Sequence, residues 1–449
     1  MMSELSSFKE KLCRALSLRQ EELAPLVWGW LYIFSLLCAY YILRPIRDTI
    51  STVIGAHSLP WLFTAVLVTM LLLQWPYNKL SQRLPRERFI SYSYQGCALI
   101  IGGFALGFYY LGGLHNLFLG RAFFIWVSVF NLFAVSVFWA LIVDIFDSER
   151  GKRLFGLLAA AATLGAIAGS GLTSLIARHL STSVLLLIAV GLIQVSVFSA
   201  QRLSHKGRQL THTTQEKSVS PSTQGGLTPL LIGIRQTFAS PYLLGICGYI
   251  LFYSITSTLI YFQQATIVQH AFLGDTQRTT FFANVDLAIN LLTLLCQLTA
   301  SGKIIARLGV AIGLASLPIV SFIGFGWLGA APSLTVLVGV TILRRTMNFA
   351  LARPSREILF TVVPTAEKYH AKVFIDTLIY RAGDQVGAWS YQAVSLLGIA
   401  ALPLTLFSML LAAIWAGLSI GLGHAQKRKA EIPVSHDKPL HSDYEKKQQ

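Results

Sequence analysis

Ionisable side chains set inside long apolar runs are where this sequence could do chemistry, and they gather at four places. Arg44-Pro45-Ile46-Arg47-Asp48-Thr49 closes the first run, with Arg44 three and four residues from Arg47 and Asp48 and so on one helix face. Asp286 stands with Asn284 and Asn290 on an otherwise apolar segment. Arg344 and Arg345 lie half-way along another, where Thr341, Arg345 and Asn348 form a stripe, and a further segment carries Asp376, Arg381 and Asp384. A charge at bilayer depth costs at least about 2.5 to 3.5 kcal/mol on insertion scales, so such groups face a cavity or pair with each other. A guanidinium offers a planar fork of donors matched to carboxylate or phosphate. Arg47 and Arg345 are therefore the leading candidates to bind an anionic solute, with Arg344, Arg44, Arg381 and Asn348 beside them. A buried carboxylate can take up and release a proton. Asp286, with the fewest basic neighbours on its own helix, ranks ahead of Asp384 as a proton-coupling group. Ion pairs that only fix helix packing are the competing role, above all Arg381 with Asp384 and Arg47 with Asp48.

These residues need elements that hold them in a membrane. The chain has 449 residues, 54% of them hydrophobic and 12% charged, with a mean hydropathy of +0.59, whereas a soluble chain carries about 25% charged residues. Twelve apolar stretches are long enough to cross a bilayer as helices: 26–49, 59–77, 89–111, 117–145, 154–177, 181–201, 240–268, 279–300, 309–328, 332–352, 373–396 and 400–422. Their length and the absence of ten-residue alternation exclude a β-barrel. The sequence thus predicts an all-α integral membrane protein, with an amphipathic N-terminal helix over 1–25, a six-helix half over 26–201, a polar linker over 202–228, a second six-helix half over 229–422 and a basic tail over 423–449. Of the 36 Lys and Arg residues, 28 fall in the tails and in the loops on one side, against Arg121, Arg178 and Arg278 on the other. Positively charged loops stay in the cytoplasm. Both termini are therefore expected in the cytoplasm, in a cell inner membrane, and the net charge of +16 needs no nucleic-acid partner.

Other chemistries lack their residues. There is no G-x-x-x-x-G-K-[ST] loop, no dinucleotide-binding glycine motif, no H-E-x-x-H and no C-x-x-C, so neither an enzyme nor a cofactor or metal is expected. Cys13, Cys38, Cys97, Cys247 and Cys296 are scattered, and His57, His115, His179, His270 and His370 read as isolated, solvated side chains. Gly165, Gly169 and Ser170 in the fifth span give small residues at the spacing that lets helices approach closely. The seventh span is rich in uncharged polar groups (Tyr253, Ser254, Thr256, Ser257, Thr258, Tyr261), which either line a cavity or hydrogen-bond between helices.

An internal repeat links the two halves. Lys79-Leu80-Ser81-Gln82-Arg83-Leu84 matches Lys303-Ile304-Ile305-Ala306-Arg307-Leu308, 224 residues later, at the Lys, the branched apolar residue, the Arg and the Leu. Glu149-Arg150 with Arg153-Leu154-Phe155 matches Glu367-Lys368 with Lys372-Val373-Phe374 more loosely. Such parallel repeats build transporters, and the short basic turns resemble the loop motif of the major facilitator superfamily, in which two halves rock about a central site. Three patches also resemble the bacterial and plastid-type ATP/ADP (nucleotide) translocase family: Tyr41 to Thr49, Phe138-Trp139 through Asp144 to Gly156, and Asn348 through Arg356-Glu357, Lys368, Lys372 and Asp376 to Gly383. The resemblance implies nucleotide antiport, with Arg47 at a position whose basic residue contacts phosphates. Residues 122–141 and 243–268 lack the charges that translocases carry in the fourth and seventh spans, and Asp384 replaces a Lys. The expected function is secondary active transport, by alternating access, of a small and anionic metabolite such as a nucleotide or phosphorylated compound, by a monomer. The alternative, prompted by Asp48, Asp286, Asp376 and Asp384, is a proton-coupled exporter of drugs or organic cations.

Overall fold

A computed structural model describes residues 20–146, 148–211, 228–396 and 401–431, all of it helices and short turns. The first half holds α1 (Gln20–Ile54), α2 (Leu59–Arg83), α3 (Arg86–Tyr110), α4 (Leu117–Ile145), α5 (Ser148–Ile176) and α6 (Thr182–Thr211). The second opens with a short helix, α7 (Thr228–Ala239), followed by α8 (Pro241–Ala271), α9 (Asp275–Cys296), α10 (Gly302–Ala330), α11 (Leu334–Met347), α12 (Arg353–Leu359), α13 (Thr365–Phe374), α14 (Tyr380–Leu396) and α15 (Ala401–Glu431). Single wide π turns join α9 to α10, α11 to α12 and α13 to α14.

Twelve crossings follow, six to each half. Ten continuous helical stretches have the length and apolarity to span a bilayer, and one of them, Asp275–Ala330, is 56 residues long and holds two crossings. The chain reverses inside it at Gly309, whose φ of 83° is the left-handed region that glycine enters without a Cβ penalty. The remaining crossing, α13 with α14, is too polar to stand out by composition because it carries Asp376, Arg381 and Asp384. Helix starts are fixed locally: the side chains of Asn116, Ser240 and Ser333 accept hydrogen bonds from the backbone N–H three residues on, at 3.1, 3.4 and 3.3 Å. Large apolar residues such as Leu99, Phe118, Leu175 and Leu298 remain on the outer surface, where lipid replaces water as the neighbour.

The first span packs centrally in its half. Gly165 and Gly169 of α5 lie so close to α1 that a Cβ on either would strike the backbone at Phe34 or Cys38, as their spacing predicts. Described boundaries run past several expected ones. Helix α6 continues to Thr211, ten residues into the interval expected as linker, and α15 to Glu431, into the expected basic tail. Both basic segments, Lys79–Arg83 and Lys303–Leu308, are the ends of helices rather than loops, and the turns fall at Leu84-Pro85 and Gly309. The expected amphipathic helix lies, except for its last residues, outside the described residues, as do residues 212–227 of the expected linker.

The halves meet through α1 with α8 and α9, α5 with α9 and α2 with α14. Trp61 packs edge-on to Trp389 with ring centroids 4.9 Å apart, Thr64 Oγ1 donates to Gln385 Oε1 at 2.8 Å and accepts from Trp389 Nε1 at 3.2 Å, and Ser174 hydrogen-bonds Asn284. All these residues belong to the end of the molecule opposite the basic turns.

Candidate functional site

The charges fall into three groups. In the first, α1 and the second half bring three arginines onto two carboxylates. Arg47 donates to Asp48 Oδ1 through Nη2 at 2.6 Å and Nε at 3.1 Å, and Tyr261 of α8 donates to the same oxygen at 3.1 Å. Arg345 Nη1 of α11 donates to Asp286 Oδ1 of α9 at 2.7 Å. Arg44 stands between the pairs, with Nη1 3.5 Å from Asp286 Oδ1 and Nε 3.8 Å from Asp48 Oδ2. At 3.8 Å there is no hydrogen bond, and Arg44 Nε is a buried donor with no partner among the described residues. Thr49 and Thr279 hydroxyls, 2.8 Å apart, tie α1 next to Asp48 to α9 two turns before Asp286. Aromatic faces flank the cations: Phe124 and Tyr261 lie 5.4 and 5.8 Å from the Arg47 guanidinium, and Tyr41 lies 5.7 Å from that of Arg44, within range of a cation–π attraction.

The second group is a cation without a carboxylate. Arg344, 4% exposed, donates to Ser321 Oγ at 2.9 Å, Thr256 Oγ1 at 2.9 Å and Ser257 Oγ at 3.0 Å, with Tyr253 5.7 Å beneath its plane. Asn348 Nδ2 donates to the Tyr253 hydroxyl at 3.1 Å. Among the described residues no acid pairs with Arg344.

The third group clamps α8 to α14. Asp384 accepts from Ser254 at 2.5 Å, Thr258 at 3.2 Å and Arg381 Nη1 at 3.0 Å. Gly383 and Gly387 on either side let the backbones close up, since a Cβ on them would meet Ser254 or Ile255 at 2.6 to 3.0 Å.

The structure thus brings Arg44, Arg47, Asp286 and Arg345 together, sets Arg344 and Asn348 apart around Tyr253, and leaves Arg381 with Asp384. Asp286 has few basic neighbours on its own helix but two arginines from other helices, which spacing within one segment does not reveal. The polar residues of α8 are spent on interhelical hydrogen bonds to these three groups. His57 and His115 are not free side chains: His57 Nε2 lies 3.3 Å from Gln392 Nε2 and His115 Nε2 3.2 Å from Asp275 Oδ2, both across the boundary between halves. Arg278, sorted by sequence as a loop residue, caps the end of α8 by donating to the carbonyls of Phe272 at 2.7 and 3.0 Å and Gln269 at 3.1 Å. The described residues hold no cluster of three metal-ligating side chains.

No curated protein matches the chain in sequence. Solved structures match it in fold: a bacterial homologue of the human lysosomal transporter Spinster, inward-facing and unoccupied, is 12% identical with a TM-score of 0.56, covering 89% of this chain and 98% of that one. A POT family transporter in complex with 5-aminolevulinic acid is 10% identical with a TM-score of 0.59, covering 90% and 96%. A bacterial homologue of the iron transporter ferroportin, in an inward-facing state, is 14% identical with a TM-score of 0.58, covering 88% and 98%. At such identities the likeness is one of fold. The Major Facilitator Superfamily model matches residues 29–364, well over half of the chain, and with twelve membrane-spanning helices in two halves the protein belongs to the major facilitator superfamily of transporters.

Proposed function

We propose that this secondary transporter carries a small anionic metabolite, bound between Arg44 and Arg47 of the first half and Arg345 of the second. The observation that carries it is the charge balance where the halves meet. Three guanidiniums share two carboxylates there, and Arg344, one residue from Arg345, has only neutral partners. Two positive charges at bilayer depth lack a counter-ion among the described residues, an arrangement that an anionic solute would complete. The leftover donor at Arg44 Nε adds a hydrogen-bonding position. Both halves contribute ligands, as alternating access requires of a central site.

The cationic-drug alternative is weaker, because Asp48, Asp286 and Asp384 are each already held by an arginine. Phosphorylated compounds, nucleotides included, are the first class to try, since guanidinium forks match phosphate and the Tyr41–Thr49 segment resembles the nucleotide translocase motif. Residues 122–141 and 243–268 of the fourth and seventh spans carry no charge and so leave fewer cations than such translocases use, which favours a solute with fewer phosphates. We place the basic turns and both termini in the cytoplasm of a cell inner membrane, on the charge bias of the loops, and treat the monomer as the working unit.

Thermal stabilisation of the purified protein by a panel of nucleotides, sugar phosphates, amino acids and cationic drugs would find the solute, because a ligand that binds the native state stabilises it. Arg47→Ala and Arg345→Ala should then each abolish its uptake into proteoliposomes while the protein stays folded. Unchanged uptake in both variants rejects the site.

A further inference from the structure

We propose that a chloride ion resides in the second half beside Arg344, bound by the Arg344 guanidinium, the Asn348 amide and the Tyr253 hydroxyl, at a site separate from the one that takes the transported solute. Arg344 is 4% exposed inside a membrane-crossing helix, and a full charge there is costly without an opposite one. The hydroxyls of Ser321, Thr256 and Ser257 do not supply it. Each accepts from Arg344 and gives its own hydrogen to a backbone carbonyl, those of Leu317 at 2.8 Å, Phe252 at 2.7 Å and Tyr253 at 2.7 Å. They bring dipoles and no charge. Donors are left over around them. Arg344 donates through Nε and Nη2 only, so the two N–H bonds of Nη1 have no acceptor among the described residues. Asn348, four residues on and on the same face, gives one amide hydrogen to the Tyr253 hydroxyl at 3.1 Å and keeps the other. That hydroxyl accepts there and has no acceptor for its own hydrogen among the described residues. The Tyr253 ring lies 5.7 Å from the guanidinium, so the three groups flank one another.

The free groups choose the ion. Carboxylate and phosphate are gripped by paired, parallel N–H bonds, and Arg344 has both Nε and Nη2 engaged by hydroxyls. Single donors from three side chains suit a spherical ion that accepts from any direction. Thr256 and Ser321 are fully buried, which leaves room for a small ion, and one cation without an acid calls for one negative charge. Every ligand belongs to the second half, on α8 or at the end of α11. Alternating access works on a site that both halves share, whereas this one stays intact when the halves part. The chloride is therefore a resident counter-ion and not cargo. Consecutive residues on a helix point about 100° apart, and Arg345 accordingly reaches α9 while Arg344 reaches α8 and α10. One small solute does not answer both charges. With chloride in place, the surplus left for the solute is the single charge of the Arg44, Arg47 and Arg345 group.

The test uses the full chain in detergent, with chloride itself as the probe and gluconate, too large for the site, keeping the ionic strength constant. The midpoint of thermal unfolding should rise with chloride and saturate, because an ion held only by the native state stabilises it. Radiolabelled chloride should bind saturably with no solute present. Arg344→Gln should raise the half-saturating chloride concentration more than about tenfold, and Tyr253→Phe about three- to tenfold, the worth of one hydrogen bond. Arg345→Gln should still bind chloride. Equal midpoints in chloride and gluconate with no bound label, or an affinity unchanged by Arg344→Gln, overturn the site. Chloride binding that vanishes in Arg345→Gln puts the ion in the solute site, which overturns a separate one while supporting anion binding there. Should Arg344→Gln fail to fold, Tyr253→Phe and Asn348→Ala decide, and an unchanged affinity in both overturns the proposal. Chloride that binds as described while no anionic solute is found leaves the resident ion standing and rejects the solute.

Discussion

Asp286 and Asp384 are both buried acids paired with arginine, yet their surroundings give them different work. Every partner of Asp384 belongs to the second half: two hydroxyls from α8 and an arginine one turn back on its own helix. Nothing in that set changes when two halves move as bodies, so it fixes the seam between α8 and α14. Removing one partner of a buried ion pair costs about 3 to 5 kcal/mol. Asp384→Ala, which strands Arg381 and two hydroxyls, should therefore lower the thermal unfolding midpoint of the purified protein by several degrees. Asp384→Asn keeps an acceptor for Ser254 and Thr258 and should cost less. Equal, small effects from both would show that the clamp contributes little. Arg381 with Asp384 was legible in the sequence because the two are three residues apart on one helix. The arginine partners of Asp286 come from 242 residues upstream and 59 downstream, and the hydroxyls around Arg344 come from α8 and α10. Only the packing of helices brings those together.

Element boundaries and contacts were legible wherever one local signal dominates. The span Leu117–Ile145 is flanked by polar residues and capped by Asn116, and its expected and observed limits coincide. Signals were weak where apolar and basic residues share a helix, so that the segments ending at Arg83 and Leu308 read as loops although both are helical and the chain turns only after them, at Leu84-Pro85 and Gly309. The π turns Gln297–Ser301, Asn348–Ala352 and Ile375–Ile379 have no Pro or Gly to mark them, and all three lie in the second half, where wide turns commonly accompany functional sites. Small-residue spacing was a sound guide on α5. A side chain on Gly169 would strike backbone on α1, which cannot swing aside as a flexible side chain can. Overpacking of this kind costs about 1 to 3 kcal/mol or more. Gly169→Val should sharply reduce the folded yield and thermal stability, whereas Gly96→Ala, with nothing within 4 Å of its Cβ, should be neutral or slightly stabilising. A stable Gly169→Val protein would mean that α5 and α1 are not in close contact.

The contacts that join the halves are unevenly distributed over the molecule, and this asymmetry bears on how it works. Indole, amide and hydroxyl groups of Trp61, Thr64, Gln385 and Trp389 interlock at the end away from the basic turns, and His57 with Gln392 and His115 with Asp275 add polar links across the same boundary. Apart from the buried Gln392 these are partly exposed groups, joined by hydrogen bonds each worth about 0.5 to 1.5 kcal/mol net, so the set can break and re-form, whereas the apolar cores within each half cannot. A transporter that exposes one site alternately must open this end in every cycle. Thr64→Cys paired with Gln385→Cys, in a background without the native cysteines, places two thiols where a direct hydrogen bond now spans the halves. Oxidation or a short bifunctional thiol reagent should join them and stop uptake of the solute, reduction of the disulfide should restore it, and either single substitution should leave it unaffected by oxidant. Full uptake by the cross-linked protein would show that this end does not open during transport, and alternating access through it would have to be abandoned.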